Sequence, residues 1–273
     1  ESLMKINDNI LVNRACDLID YFHRTYFNNY DFISNDPISV PHKFSRKEDI
    51  EVAGFLSSAI AWGNRKAIIK SCNNMMNRMD NAPYDFIINA QENDLKAINN
   101  FYYRTFQETD LACFKDKQKN IYVNHGGLEN VFMEGYDSVD FDKIKNAIIH
   151  FRNVFFEKEY PARVSKHVAN PQKGSAAKRI NMFLRWMVRK DENNIDFGLW
   201  NKISTADLII PLDVHVGNTA RNLRIINSTA NNWKTAEELT NFLRQICPED
   251  PVKFDYALFG ISNSKISFAN IDK

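Results

Sequence analysis

Apolar residues recur along this chain at helical spacing. Leu11, Ala15, Leu18, Ile19 and Phe22 fall on one face of a helix. A second helix is predicted to open at Ser45, where Glu48 completes the capping-box pattern Ser45-Arg46-Lys47-Glu48. From Ile50 to Trp62 this helix is almost continuously apolar, which predicts burial on most of its sides. Further helices are expected over about 65–79, 93–106 and 128–134, the last after the turn signal Asn124-His125-Gly126-Gly127. A longer one starts near Ser138 or Asp140 and carries Ile144, Ala147, Ile148, Phe151 and Phe155. Period-2 alternation is scarce, so no sheet is predicted.

Beyond Pro161, the stretch Val168 to Ser175 reads as a loop, and it leads into a helix with two contrasting faces. Ile180, Phe183, Leu184 and Met187 lie on one face; Lys178, Asn181, Arg185 and Arg189 lie on the other, which is expected to meet solvent. A loop with Asp196, Gly198 and Trp200 follows, then the apolar run Leu208 to Leu212, ending at Asp213 just ahead of a helical segment from Val214 to Leu223. Asp213 is a candidate N-cap. Helices over about 235–246 and 250–260 precede a polar tail. There are no internal repeats.

Composition narrows the class. Only 9 Gly and 8 Pro occur in 273 residues, too little punctuation for a turn-rich β fold, so an all-α fold is expected. At this length the chain makes one large domain or two smaller ones. No apolar run reaches membrane-spanning length and the first residues do not read as a signal segment, so a soluble, cytoplasmic protein is expected. Cys16, Cys72, Cys113 and Cys247 form no C-x-x-C pair and read as free thiols. The six histidines show no paired ligand spacing; His215 reads as structural, and neither a metal nor a cofactor is expected. The 35 Lys and Arg nearly balance the 34 Asp and Glu, for a net charge of +1. Yet Lys166, Lys173, Lys178, Arg179, Arg185 and Arg189 follow one another with no acid between, which predicts positive potential confined to one face.

Three features come in order: a Gly-containing turn opening a helix, a lysine in that helix's first turn, and a carboxylate at the start of a later helix. That order suits excision of a base from DNA. Backbone N–H groups at a helix N-terminus bind phosphate without reading sequence. A neutral lysine amine attacks the sugar C1′, and the positive helix end disfavours its charge. The carboxylate stabilises the cationic sugar or takes the lysine's proton. Each residue also has a plainer reading: Lys178 as a solvated helix residue, Asp213 as a cap, the tryptophans as core.

The stretch from Gly174 to Asp213, with Lys178 in K-R-I-N-M-F-L-R-W-M-V-R and Asp213 in P-L-D-V-H-V, resembles the helix-hairpin-helix DNA glycosylase superfamily. The apolar segment from Gly54 to Arg65 is similar to that family's buried helix ending at the base pocket, and Asp250 to Gly260 is similar to the closing helix of archaeal-type 8-oxoguanine glycosylases. The motifs also resemble an uncharacterised bacterial family known by a domain-of-unknown-function label, over roughly 45–260. Gly174 matches the first hairpin glycine, whereas Ala176 replaces the second, implying a reshaped turn.

The resemblance implies a two-lobed helical protein, with 46–212 as the central lobe and 1–45 plus 213–273 as the other. It implies a DNA base-excision glycosylase with AP-lyase activity, Lys178 as Schiff-base nucleophile and Asp213 as its partner. Lys173, Gly174, Ser175, Arg179 and Arg185 would contact DNA; Trp62, Asn64, Arg65 and Trp200 would form the base pocket. The expected partner is double-stranded DNA with a damaged base or abasic site, bound by a nucleoid-associated monomer. The alternative keeps the fold without the reaction: a DNA-binding protein in which Lys178 and Arg185 contact phosphates and Asp213 only caps a helix. A protein-interaction module is a third class.

Overall fold

A computed structural model describes residues 2–26 and 31–263. The helices are α1 (Ser2–Tyr26), α2 (Asp31–Ser34), α3 (Lys47–Ala59), α4 (Arg65–Arg78), α5 (Pro83–Asn89), α6 (Glu108–Asn124), α7 (Leu128–Asp137), α8 (Lys143–Phe155), α9 (Lys178–Val188), α10 (Val214–Asn222), α11 (Trp233–Ile246) and α12 (Asp255–Asn263). The expected all-α fold is present, relieved among the described residues by one antiparallel hairpin of two-residue strands, β1 (Tyr102–Tyr103) and β2 (Phe106–Gln107). Among the described residues no helix is long and apolar enough to cross a membrane.

The apolar run becomes the central helix. Every residue from Ile50 to Ala61 is buried, and Phe55 meets Phe114, Phe151 and Phe183 at ring-centroid distances of 5.7, 5.4 and 5.5 Å. α3 thus carries α9 on one side and the aromatic layer of α6 and α8 on another. Its start differs from expectation. The N-cap is Arg46 rather than Ser45, and no side chain caps it. Glu48 does not reach back to complete a capping box, because Arg46 Nε holds it at 3.2 Å.

Two segments depart from the helical pattern. The helix expected over 93–106 is a 3-10 turn, Asp94–Ile98, followed by the hairpin; Asn100 and Arg104, with φ of 59° and 54°, break it. Tyr103 Oη then donates to the Trp62 carbonyl at 2.6 Å, fastening the hairpin beside the end of α3. α6 was not expected at all. It buries Asp110, Lys115, Lys117, Gln118 and Asn120 alongside its apolar residues, so its buried face has no apolar period.

α9 shows the same effect at the place that matters most. Its apolar face packs on α3 as expected, but the opposite face is not solvated: Asn181, Arg185 and Arg189 are 1%, 2% and 4% exposed. Arg185 Nε lies 3.3 Å from Asp196, and its terminal nitrogens engage Asp255 and the Tyr256 hydroxyl. Arg189 reaches Asp196 at 2.9 Å, Asp250 at 2.8 Å and Asp191 at 3.4 Å. Two of the six cations in the basic run are therefore neutralised internally, and the expected strip shrinks to Lys166, Lys173, Lys178 and Arg179.

Removing one partner of such a network strands the other charge, so Arg185→Ala is expected to cost about 3–5 kcal/mol in chemical denaturation. A loss below about 1 kcal/mol, the range of an exposed ion pair, would contradict the buried role. Burial pushes the Asp255 carboxyl up to about 6 against the pull of Arg185. Folding therefore favours its protonated form, and this contribution to stability, complete below about pH 4, is lost as pH rises through about 6. Thermal melts between about pH 5 and 7.5 should show a decline that is smaller in Asp255→Asn.

Candidate active site

Site geometry starts in the loop ahead of α9. Pro171–Lys173 forms a 3-10 turn, with Asn170 Oδ1 accepting from Gln172 N at 3.0 Å, and Gly174 follows at φ 86°. Its carbonyl accepts from Trp233 N at 3.0 Å, tying the loop to the start of α11. Ala176, at the position of the second hairpin glycine, is 7% exposed and needs no left-handed conformation. The left-handed position is one residue later, at Ala177, with φ 48° and ψ 38°. Ala177 precedes α9 without a side-chain cap, and Lys178 is the helix's first residue.

Asp213 reaches the same place from the other direction. Leu208, Ile209, Ile210 and Leu212 are buried, and Ile210 N donates to Thr240 Oγ1 at 3.1 Å, so an extended apolar segment delivers Asp213 to the start of α10. The expected N-cap is present: Oδ1 accepts from Val216 N at 3.0 Å. The other oxygen, Oδ2, lies 3.8 Å from Lys178 Nζ, with both side chains 30% exposed. Capping fixes one oxygen and leaves its twin facing the amine.

Both residues line a cleft of about 590 Å³ together with Asp36, Trp62, Arg65, Arg179, Met182, His215 and Phe259. Arg65 pairs with Asp36 at 3.8 Å and lies 4.6 Å over the Phe259 ring. Arg179 lies 4.8 Å over Trp62, donates to the Ala59 carbonyl and is pulled down to about 10 by burial. Against Trp62 also stack His167, at 6.1 Å, and the edge of Tyr103, at 5.6 Å. Burial pushes the His167 imidazole down to about 4, so this ring is neutral near pH 7.

The sequence-predicted residues divide accordingly. Lys178, Asp213, Arg179, Trp62 and Arg65 come together in one cleft. Lys173, Gly174 and Ser175 are exposed on the loop leading to α9. Arg185 is corrected: its guanidinium is buried among Asp196, Asp255 and Tyr256 and reaches no surface ligand. Trp200 is corrected too, being 0% exposed, with Nε1 donating to Glu51 at 2.7 Å and the ring packed on Phe132 and Phe183. Asn64 caps α4 by accepting from Ala67 N at 3.1 Å and does not line the cleft. Trp62 lines it, but Arg179 already lies over its ring.

His215, expected to be structural, is exposed in the cleft with its ring edge-on to Phe259 at 6.1 Å. Asp36, Met182 and Phe259 were missed. Asp36-Pro37 carried a turn signal, and Asp36 does cap the Pro37–Ser39 turn by accepting from Ile38 N at 3.1 Å. Nothing local marks Met182 or Phe259. Among the described residues no group of three or more His, Cys, Asp or Glu could hold a metal.

The two roles of Asp213 are separable. Asp213→Ala should lower stability by about 1 kcal/mol through loss of the cap, whereas Asp213→Asn, a competent cap, should stay within a few tenths. Denaturation curves of the two variants check this. An equal loss in both would mean that the carboxylate's charge, not its capping bond, stabilises the fold.

No curated protein and no solved structure matches the chain at a significant level. A family model does, over residues 36–264, and this span takes in α3 to α12 with both Lys178 and Asp213. The chain belongs to the DUF2400 family of proteins of unknown function.

Proposed function

We propose that this protein is a DNA glycosylase of helix-hairpin-helix type with AP-lyase chemistry, acting on double-stranded DNA that carries a damaged base or an abasic site. The observation that carries this reading is the 3.8 Å approach of Lys178 Nζ to Asp213 Oδ2, from the first residue of one helix and the N-cap of another, in an open cleft. No local contact requires these two residues to meet. In this reading the central stretch 46–212 supplies the lysine, and 213–273 supplies the aspartate and Phe259.

The chemistry follows from the pair. Asp213 takes a proton from the Lys178 ammonium, and the freed lone pair attacks C1′ of an extrahelical nucleotide as the C1′–N bond breaks and the base leaves with its electrons. The adduct nitrogen gives one proton to the departing base, its lone pair then forms the C1′=N bond as the C1′–O4′ bond breaks, and O4′ takes the proton that Asp213 holds, which leaves the protonated Schiff base. The carboxylate also stabilises positive charge on the sugar during departure. Exposed Lys173, Gly174 and Ser175 on the approach to α9 suit contact with the phosphate backbone.

Borohydride reduction during incubation with abasic and damaged-base duplexes should give a covalent protein–DNA adduct that Lys178→Ala lacks. Asp213→Asn should form it at least about 100-fold more slowly. Wild-type protein that yields no adduct on any of these duplexes, or an adduct that survives Lys178→Ala, would remove Lys178 as nucleophile. A second reading, DNA binding without chemistry, is favoured by the cap and ion pair that already occupy Asp213. It is the outcome if binding weakens steadily with salt and no adduct forms.

A further inference from the structure

The cleft contains three side-chain cations and two carboxylates, and the carboxylates are both engaged. Asp213 faces Lys178 at 3.8 Å and Asp36 faces Arg65 at 3.8 Å. Arg179 is left over. A guanidinium has five N–H donors; the structure gives that of Arg179 one acceptor, the Ala59 carbonyl, and a place over the Trp62 ring. Among the described residues no carboxylate lies within ion-pair distance of it. Its neighbour across Trp62, His167, is neutral and contributes no counter-charge. Behind it, Asp110 is engaged by Arg163 at 3.1 Å.

Other desolvated arginines here are treated differently. Arg185 and Arg189 are each met by two or more aspartates. Arg244, also pulled down by burial, donates to three successive backbone carbonyls, those of Ala206, Asp207 and Leu208. A desolvated charge without such partners costs stability unless something else supplies them. Arg179 lacks them on its cleft side, where a ligand can.

We propose that Arg179, laid on Trp62, anchors an oxyanion subsite in this cleft that takes a phosphate group. A planar guanidinium suits phosphate because two parallel N–H groups meet two oxygens, and stacking on an indole holds the plane still. Identifying that phosphate as one in the DNA backbone beside the extruded nucleotide rests on the glycosylase reading; the subsite itself does not.

Thermal denaturation of the full chain in sodium phosphate, against sodium chloride at matched ionic strength and pH, tests the subsite. Phosphate should raise the wild-type melting temperature, Arg179→Met should abolish the rise, and Arg179→Lys, which keeps the charge without the fork, should lose most of it. Without phosphate, Arg179→Met should melt no lower than wild type, since an uncompensated charge has gone. A phosphate response unchanged in Arg179→Met, no response in wild type, or an Arg179→Met chain that is markedly destabilised or unfolded overturns the proposal.

A duplex with a reduced abasic site identifies the source. A DNA phosphate requires Arg179→Met to weaken binding about tenfold or more; unchanged duplex affinity with a lost phosphate response supports a subsite for free phosphate or a mononucleotide. The two readings fail separately. A phosphate response without any borohydride adduct keeps the subsite and removes the glycosylase, and an adduct with an Arg179-independent response does the reverse.

Discussion

Arg185, in the last turn of α9, and Arg189, its C-cap, stand one turn apart, both out of water, and carboxylates from two separate stretches converge on them. Asp191 and Asp196 come from the loop that follows the helix, Asp250 and Asp255 from the entry to α12. Guanidinium groups at that depth are tolerable only when paired, so they oblige the 191–196 loop and the start of α12 to fold onto α9. The opposite face of the helix is held by Phe183 against Phe55 of α3. With both faces fixed, rotation of α9 about its axis is no longer free. Lys178 sits two turns before Arg185 on the same side, so the register that buries the arginines also sets where the lysine emerges.

Asp213 is positioned by equally ordinary means. A buried apolar segment delivers it to the start of α10, and an N-cap bond fixes one of its oxygens. The helix would need some cap at that position in any protein. What is particular here is that the second oxygen opens on a cleft whose other wall begins α9. The cleft inherits its charge pattern from the same frame: two ion pairs, Lys178 with Asp213 and Arg65 with Asp36, and one guanidinium, Arg179, whose partners among the described residues are a carbonyl and an indole.

Where the sequence was legible, hydrophobic period and burial coincided. α3, α10, α11 and the apolar face of α9 read directly, as did Asp213 as a cap, because a short acid ahead of an apolar helical run has few other uses. Pattern and burial parted at α6, at the hairpin after Asn100 and along the second face of α9. A row of charged residues at helical spacing looks the same whether it meets water or aspartates brought in by the following loop and by the entry to α12. Thus Arg185, read as a DNA contact, is structural, and Trp200, read as a pocket wall, hydrogen-bonds Glu51 inside the core.

Local sequence was enough to say that the chain is helical, which helix carries Lys178 in its first turn and which acid caps the helix beginning at Val214. These depend on neighbours within a few residues, and local spacing records them. The 3.8 Å approach of Lys178 to Asp213, the presence of Asp36 and Phe259 in their cleft, and the pairing of Arg185 with two carboxylates while Arg179 meets none among the described residues come from the packing of distant segments. Burial and ion pairing join residues far apart in the chain, and no local pattern states which distant charge will close on which.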